Sequence, residues 1–314
     1  MLAYESFIRR AAEFNLPFML KGSYVTRQYF ADPADRLPND LDWVYLNDLQ
    51  NAEDAKIKFD EWLINITETN KNDGVKFRSF RENSFWRMID YAMSDDFPTV
   101  NTDLLCWVNG EVFNSFALDI SFNLDVDVPP VPLLYKPLRG EPFTAPQTVP
   151  LSLQIAWKIH QTLVRPRFKD IFDLTHLLRH PNFDDSMLSQ TLQTLVNECA
   201  ADNTDINRLK WLISGDLKSL FSNFTINYTW DCWRHDVKFK YNEQIVYDRA
   251  ANITNADNTP SELPIFIEEF TTSLNYAGFN QTTLENLPLP KRQKRKGVEK
   301  PVQDYPTNPK HFWE

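Results

Sequence analysis

The chain has 314 residues, 42% of them hydrophobic, and a formal charge of −10, which is ample core material and too acidic a balance for general adhesion to nucleic acid. Its three cysteines, Cys106, Cys199 and Cys232, form no C-x-x-C pair, so neither a zinc site nor a disulfide framework is indicated and a reducing cytosol fits. No run approaches about 18 apolar residues and the N-terminus lacks a basic-then-apolar pattern, so a cytoplasmic protein without membrane contact is expected.

Phe7, Ile8, Ala11 and Phe14 recur at helical spacing and predict an opening helix, followed by a short apolar strand over 16–20. Gly22 and Ser23 come next as a turn. Glycine there lets backbone approach a triphosphate, and a helix starting near Tyr24 would aim free N–H groups at it. The following strand, 41–46, alternates Asp40 and Asp42 with Leu41 and Trp43, so the two carboxylates share one face. Two carboxylates plus substrate phosphates are what a hard ion such as Mg²⁺ takes as ligands. A Gly-Ser turn ahead of a D-x-D strand therefore points to nucleotidyl transfer. A second D-x-D, Asp125 and Asp127, runs straight into Val128-Pro129-Pro130 with no such turn before it, and reads as extended loop.

Residues 52–67 predict an amphipathic helix with Ile57, Trp62, Leu63 and Ile66 inward. Asn109-Gly110 separates two extended runs, 99–108 and 111–122, and is a strong signal for a type I′ hairpin. On the second arm Phe116, Leu118, Ile120 and Phe122 share a face. Asp119 is left on the other, where it either joins Asp40 and Asp42 as a third metal ligand or points to water.

Pro129, Pro130, Pro132, Pro137, Pro142, Pro146 and Pro150 resist helix and suit an extended connector. The expected organisation is a first domain over 1–130, the connector over 131–150, a mainly helical domain over 151–287 and a basic, disordered tail over 288–314. Helices are expected at 151–164, 168–178, 186–199, 206–221 and 265–277, with a small β element within 224–246.

A second charged constellation lies at the start of the helical part. Lys158 and Arg165, seven apart, share a helical face, while Asp170 and Asp173 share another next to Arg167 and Lys169. A lysine here would steady a triphosphate as a point charge, and an aspartate would orient it or act as general base toward an acceptor hydroxyl. Surface ion pairs of little energetic consequence are the competing reading. His176 and His180 read as solvated residues near a helix end and receive no role.

Taken together, Gly22-Ser23 with Asp40-x-Asp42, and a helix bearing Lys158 followed by Arg167-x-Lys169-Asp170-x-x-Asp173-Leu174, resemble the AbiEii/AbiGii-type toxins of bacterial type IV toxin–antitoxin and phage-defence systems, relatives of the MenT toxins. The resemblance covers roughly Phe18 to Leu178. It implies an α/β fold, a polymerase-β-like mixed sheet with flanking helices followed by a mainly α-helical C-terminal domain. It implies Mg²⁺- or Mn²⁺-dependent transfer of a nucleoside monophosphate from an NTP to RNA, with the 3′ end of tRNA the expected acceptor, and an antitoxin partner. Carried over by residue, Gly22, Ser23, Lys158 and Arg167 would bind the nucleotide, Asp40, Asp42 and Asp119 the metal, and Asp173 would complete a catalytic set of Asp40, Asp42 and Lys158. Asp170, Arg165 and Lys169 are secondary candidates. The interval from Ser23 to Asp40, which includes 32–38, is longer than the usual family gap. Two rival readings remain open at this point: a small-molecule nucleotidyltransferase of the aminoglycoside type, and a protein-binding module with a degenerate core. A basic surface made by Arg78, Arg81, Arg87, Arg165 and Arg167 around the cleft would favour RNA.

Overall fold

The computed structural model describes residues 1–88, 98–221, 226–235, 238–241, 244–247, 253 and 259–291. Helix α1 (Leu2–Ala11) buries Phe7, Ile8 and Ala11 as its spacing predicts, and strand β1 (Phe18–Lys21) follows. After Gly22 the chain makes one α-helical turn, α2 (Ser23–Thr26), continues as a 3₁₀ turn at Arg27–Tyr29, and returns through another at Pro33–Asp35 to β2 (Leu41–Tyr45). Helix α3 (Ala52–Glu68) starts at Asn51, whose side chain accepts the amide hydrogen of Asp54. Its inward face is Ala55, Phe59, Trp62, Leu63 and Ile66. Ile57 is the exception to the expected face: it is 53% exposed, because it sits two residues from Phe59 and hence about 200° round the helix.

Strands β3 (Val75–Phe77), β4 (Arg87–Met88), β5 (Thr99–Val108) and β6 (Glu111–Ser121) complete one wing of the sheet. The turn joining β5 to β6 has Asn109 and Gly110 both at positive φ, 51° and 87°, and Val108 pairs with Glu111, the geometry expected of Asn-Gly. The proline-rich stretch is extended as expected, yet it is part of the sheet and not a free connector. Its residues form β7 (Val131–Tyr135) and β8 (Phe143–Thr148), antiparallel to each other, and β8 runs parallel beside β1 at Leu20 and Thr148. Proline is tolerated because Pro132 and Pro146 both fall at the register shift between the pairs Val131–Thr148 and Leu133–Ala145. The order across the mixed sheet is β3-β5-β6-β2-β1-β8-β7, with β4 also on β5.

One face of this sheet holds the first core, where Phe18 stacks on Trp62 at 3.9 Å between ring centres and Phe7 and Trp43 meet the same indole edge-on. A second core is helical. It is built from α4 (Leu151–Val164), α5 (Phe168–Leu177), α6 (Asp185–Asp202), α7 (Leu209–Ile213), α8 (Leu217–Phe221), α9 (Ile226–His235) and, after a two-stranded ribbon of β9 (Lys238–Tyr241) and β10 (Gln244–Tyr247), α10 (Leu263–Tyr276); the short α11 (Gln281–Glu285) packs against α7. Two expectations are corrected here. The helix expected over 206–221 is divided at Gly215, which adopts φ +72° and leaves no room for a side chain beside Ile267 and Thr271. The second concerns 224–246: the small β element expected there is present as β9 and β10, but residues 226–235 ahead of it form α9, where Trp230 and Trp233 recur at helical spacing against Phe168. Tail residues beyond Lys291 lie outside the described residues.

Trp62 is the hub of the first core, fully enclosed and in contact with three other rings. Replacing it with Ala is expected to lower unfolding free energy by about 3–5 kcal/mol. Urea denaturation of Trp62→Ala against the parent measures this; a loss under about 1 kcal/mol would show that the aromatic cluster is not the anchor of the sheet.

Candidate active site

The open face of the sheet and the first two helices of the helical part enclose a cavity of about 200 Å³. The sheet contributes Lys21, Gly22 and Ser23 from the end of β1 and the turn after it, and Asp40 and Asp42 from the start of β2. Opposite them stand Lys158 on α4 and Arg165, Arg167, Lys169 and Asp170 from the junction into α5. The two constellations separated by more than a hundred residues therefore face one cleft.

Gly22 is required by Asp42. With φ +72°, its position allows no side chain: a Cβ would come within 2.2 Å of the Asp42 carboxylate oxygen Oδ2. The turn is fixed further by Thr26, whose hydroxyl donates to the Gly22 carbonyl at 3.0 Å and accepts from Gln154 of α4 at 2.9 Å. Asp42 lies in antiparallel register with Lys21, 3.9 Å from its ammonium, and in parallel register with Asp119 of β6. Burial, against the pull of Lys21 and aided by the Asp40 and Asp119 carboxylates, pushes the Asp42 carboxyl up to about 7.

Asp119 faces the same side of the sheet as Asp42 but is buried, receives a short hydrogen bond from the Asn101 amide, and is not among the residues lining the cavity. Among the described residues no cage of three or more His, Cys, Asp or Glu side chains is assembled. The donor set that does face the cleft, two carboxylates with a third behind and mutual repulsion to relieve, suits a hard divalent cation completed by substrate oxygens.

Across the cleft, five charges alternate in sign. Asp173 has no exposed surface; it accepts two hydrogen bonds from the Arg36 fork, 2.7 and 3.2 Å, and one from Lys158 at 2.7 Å. Lys158 also reaches Asp170 at 3.4 Å, and Asp170 accepts from Arg167 at 2.6 Å. Burial alone would raise the Asp173 carboxyl, but Arg36 and Lys158 outweigh it and hold the group well below the usual carboxylate range. Surrounded this way, Asp173 orients Lys158 and is itself not among the residues lining the cavity. Lys158, by contrast, has three N–H donors and spends two, leaving one for a ligand. Lys169 lines the cleft with no ion pair among the described residues, and burial with the neighbouring Arg167 lowers its affinity for a proton.

Arg165 lies just past the end of α4 and is exposed at the rim, so it does not continue the helical face of Lys158. Arg78, Arg81 and Arg87 are engaged by Glu82, Glu68 and Asp103 and do not line the cleft, so its basic residues are Lys21 on the sheet side and Lys158, Arg165, Arg167 and Lys169 on the α4–α5 side. His176 is not solvated as expected; its ring stacks on Phe30. The sequence reading assigned no role to Arg36, Lys21, Gln154 or Glu198. Arg36 meets its partner 137 residues later, and no local spacing signals such a pair.

A glycine-dependent turn and paired carboxylates thus stand opposite a buried lysine across one cleft. The sequence matches the family described as nucleotidyl transferase AbiEii toxin, type IV toxin–antitoxin system, over residues 6–288, and the chain belongs to that family. It is thus a nucleotidyltransferase toxin, and the family implies an NTP substrate and an antitoxin partner. Among solved structures, MenT4, a nucleotidyltransferase toxin from Mycobacterium tuberculosis, is similar at 11% identity, covering 90% of this chain and 88% of that one with a TM-score of 0.48. No curated protein sequence matches. Among the described residues no helix is long and apolar enough to cross a membrane.

Gly22→Ala must displace the Asp42 carboxylate, and a misplacement of about 1 Å at a reacting site costs on the order of 10²-fold in rate. Steady-state kinetics should show that loss in kcat/KM with a far-UV circular dichroism spectrum like the parent's; unchanged kinetics would separate Gly22 from the site. Asp173→Asn leaves two buried cations undercompensated, so a loss of about 3–5 kcal/mol in stability is expected. Because the folded state holds this carboxyl below its ordinary value, its contribution is complete above about pH 4 and fades as pH falls further, so the variant's stability should depend less steeply on pH in that range. Parallel slopes for parent and variant in acid-dependent urea titrations would contradict the assignment.

Proposed function

We propose that this toxin transfers a nucleoside monophosphate from an NTP to the 3′ end of an RNA, with tRNA the expected acceptor, inside the cytoplasm and as part of a phage-defence response released from its antitoxin. The reading rests on one observation: Asp40 and Asp42 face Lys158, Lys169 and Arg167 across a single cleft. That arrangement fits a triphosphate, which needs cations along its oxygens and a pair of carboxylates where bond exchange occurs.

Asp40 and Asp42 would hold Mg²⁺ or Mn²⁺, with Asp119 behind them in register with Asp42. Once bound, the cation would neutralise phosphate charge and favour ionisation of an acceptor hydroxyl. The residues themselves do the positioning. Ser23 offers its hydroxyl at the glycine turn, Lys158 gives its remaining N–H to a phosphate oxygen, and Lys169 and Arg167 balance the charge of departing pyrophosphate. Arg165 at the rim is placed for the phosphodiester backbone of the acceptor, which a chain of net charge −10 can engage only through a local basic patch. The cleft lining carries Lys21, Lys158, Arg165, Arg167 and Lys169 against Asp40, Asp42, Asp170 and Glu198, a balance that favours an anionic acceptor over an aminoglycoside.

Incubation with each α-labelled NTP and total RNA should yield labelled RNA of tRNA size, only with a divalent cation present. Asp40→Ala and Asp42→Ala should reduce incorporation to background while melting as cooperatively as the parent. Label in small-molecule products alone, or full activity in Asp40→Ala, would overturn the reading.

A further inference from the structure

We infer that Arg36 is a positioning residue for nucleotidyl transfer, acting through Asp173 to set Lys158 and through its own contact to set Ser23. The inference rests on the site reading above and deepens it.

Arg36 is nearly sealed from solvent, 1% exposed, and Asp173 is 0% exposed, so their two-pronged pairing takes place away from water. Its other contacts matter as much. The Nη1 nitrogen donates to the Leu37 carbonyl at 3.0 Å, and Nη2, besides reaching Asp173, lies 3.5 Å from the Ser23 hydroxyl. One guanidinium therefore touches the phosphate-binding turn and, through a single carboxylate, the lysine on the opposite wall.

The loop that carries Arg36 is built to hold it. Asp32 caps the 3₁₀ turn by accepting from the Ala34 amide at 2.8 Å. From below, Arg27, itself paired with Glu5 at 2.7 Å, donates to the carbonyls of Pro33 at 2.8 Å and Arg36 at 3.3 Å. The long interval between Ser23 and Asp40 thus delivers a buried, multiply bonded arginine between Ser23 and Asp173. Charge follows the same logic. Arg36, Lys158 and Arg167 stand against Asp170 and Asp173, leaving a surplus positive charge for a phosphate; without Arg36 the surplus vanishes, and Asp173 draws Lys158 away from the ligand. A lysine in place of Arg36 restores the charge and not the planar fork.

The test is a double-mutant cycle on Arg36→Met and Asp173→Asn, with Arg36→Lys as the conservative variant, read by the Kd of a non-hydrolysable NTP and by kcat and KM for transfer. Each single variant should weaken NTP binding by on the order of 10-fold or more, with KM rising more than kcat falls. Arg36→Lys should fail to rescue, and the double variant should be no worse than the poorer single, because both residues act through Lys158. Should a single variant fail to fold, the double variant, which removes the pair together, carries the comparison against the parent. Multiplicative losses in the cycle, or variants that lose thermal stability while the folded fraction keeps parental NTP affinity and KM, would overturn the proposal. NTP affinity separates this from the acceptor question: a parent that binds NTP without labelling RNA refutes the RNA reading and leaves the Arg36 test intact.

Discussion

The site depends on a carboxylate that water never reaches. Asp173 stays ionised inside the protein because Arg36 and Lys158 surround it, and the same pairing fixes where Lys158 points. Buried ion pairs of this kind contribute little net stability relative to apolar packing, since desolvation consumes most of the attraction. Their consequence is geometric. A lysine that would otherwise sample many rotamers is held in one, and the helices carrying Asp173 and Lys158 are tied to a loop of the sheet.

That tie explains how two separate apolar cores make one active site. The sheet core around Trp62 takes in Leu153 of α4, and the helical core around Phe168 and Phe266 takes in Phe30 from the loop after α2, so the two are also joined by apolar contacts. The charged chain from Arg36 to Arg167 adds a polar tie across the same boundary, with acid groups of β2 and basic groups of α4 and α5 facing one cleft.

How much of this was legible in the sequence follows from the range of each signal. Asn109-Gly110, the alternating faces of β2 and β6, and the paired motifs at Asp40 and Lys158 are local, and the structure has the corresponding turn, strands and helix. Asp119 was oriented correctly by alternation, yet its burial beneath Asn101 comes from a neighbouring strand that periodicity does not report. Proline density indicated the extended backbone of 131–135 and 143–148 and concealed its pairing, because a strand interrupted at a register shift and a connector share the same backbone preference. The small β element expected within 224–246 is present as β9 and β10, while the helix ahead of it, with Trp230 and Trp233 packed on Phe168, was not anticipated. Arg36 left no local trace at all. Its meaning lies in a contact across the whole fold.

A crystal structure of the protein with a non-hydrolysable NTP and Mg²⁺ tests the central claim most directly. The account predicts phosphate oxygens between the Asp40 and Asp42 carboxylates on one side and the Lys158 ammonium on the other, with the Arg36–Asp173 pairing intact beneath. A nucleotide bound elsewhere, or one whose phosphates contact neither Asp42 nor Lys158, would contradict it.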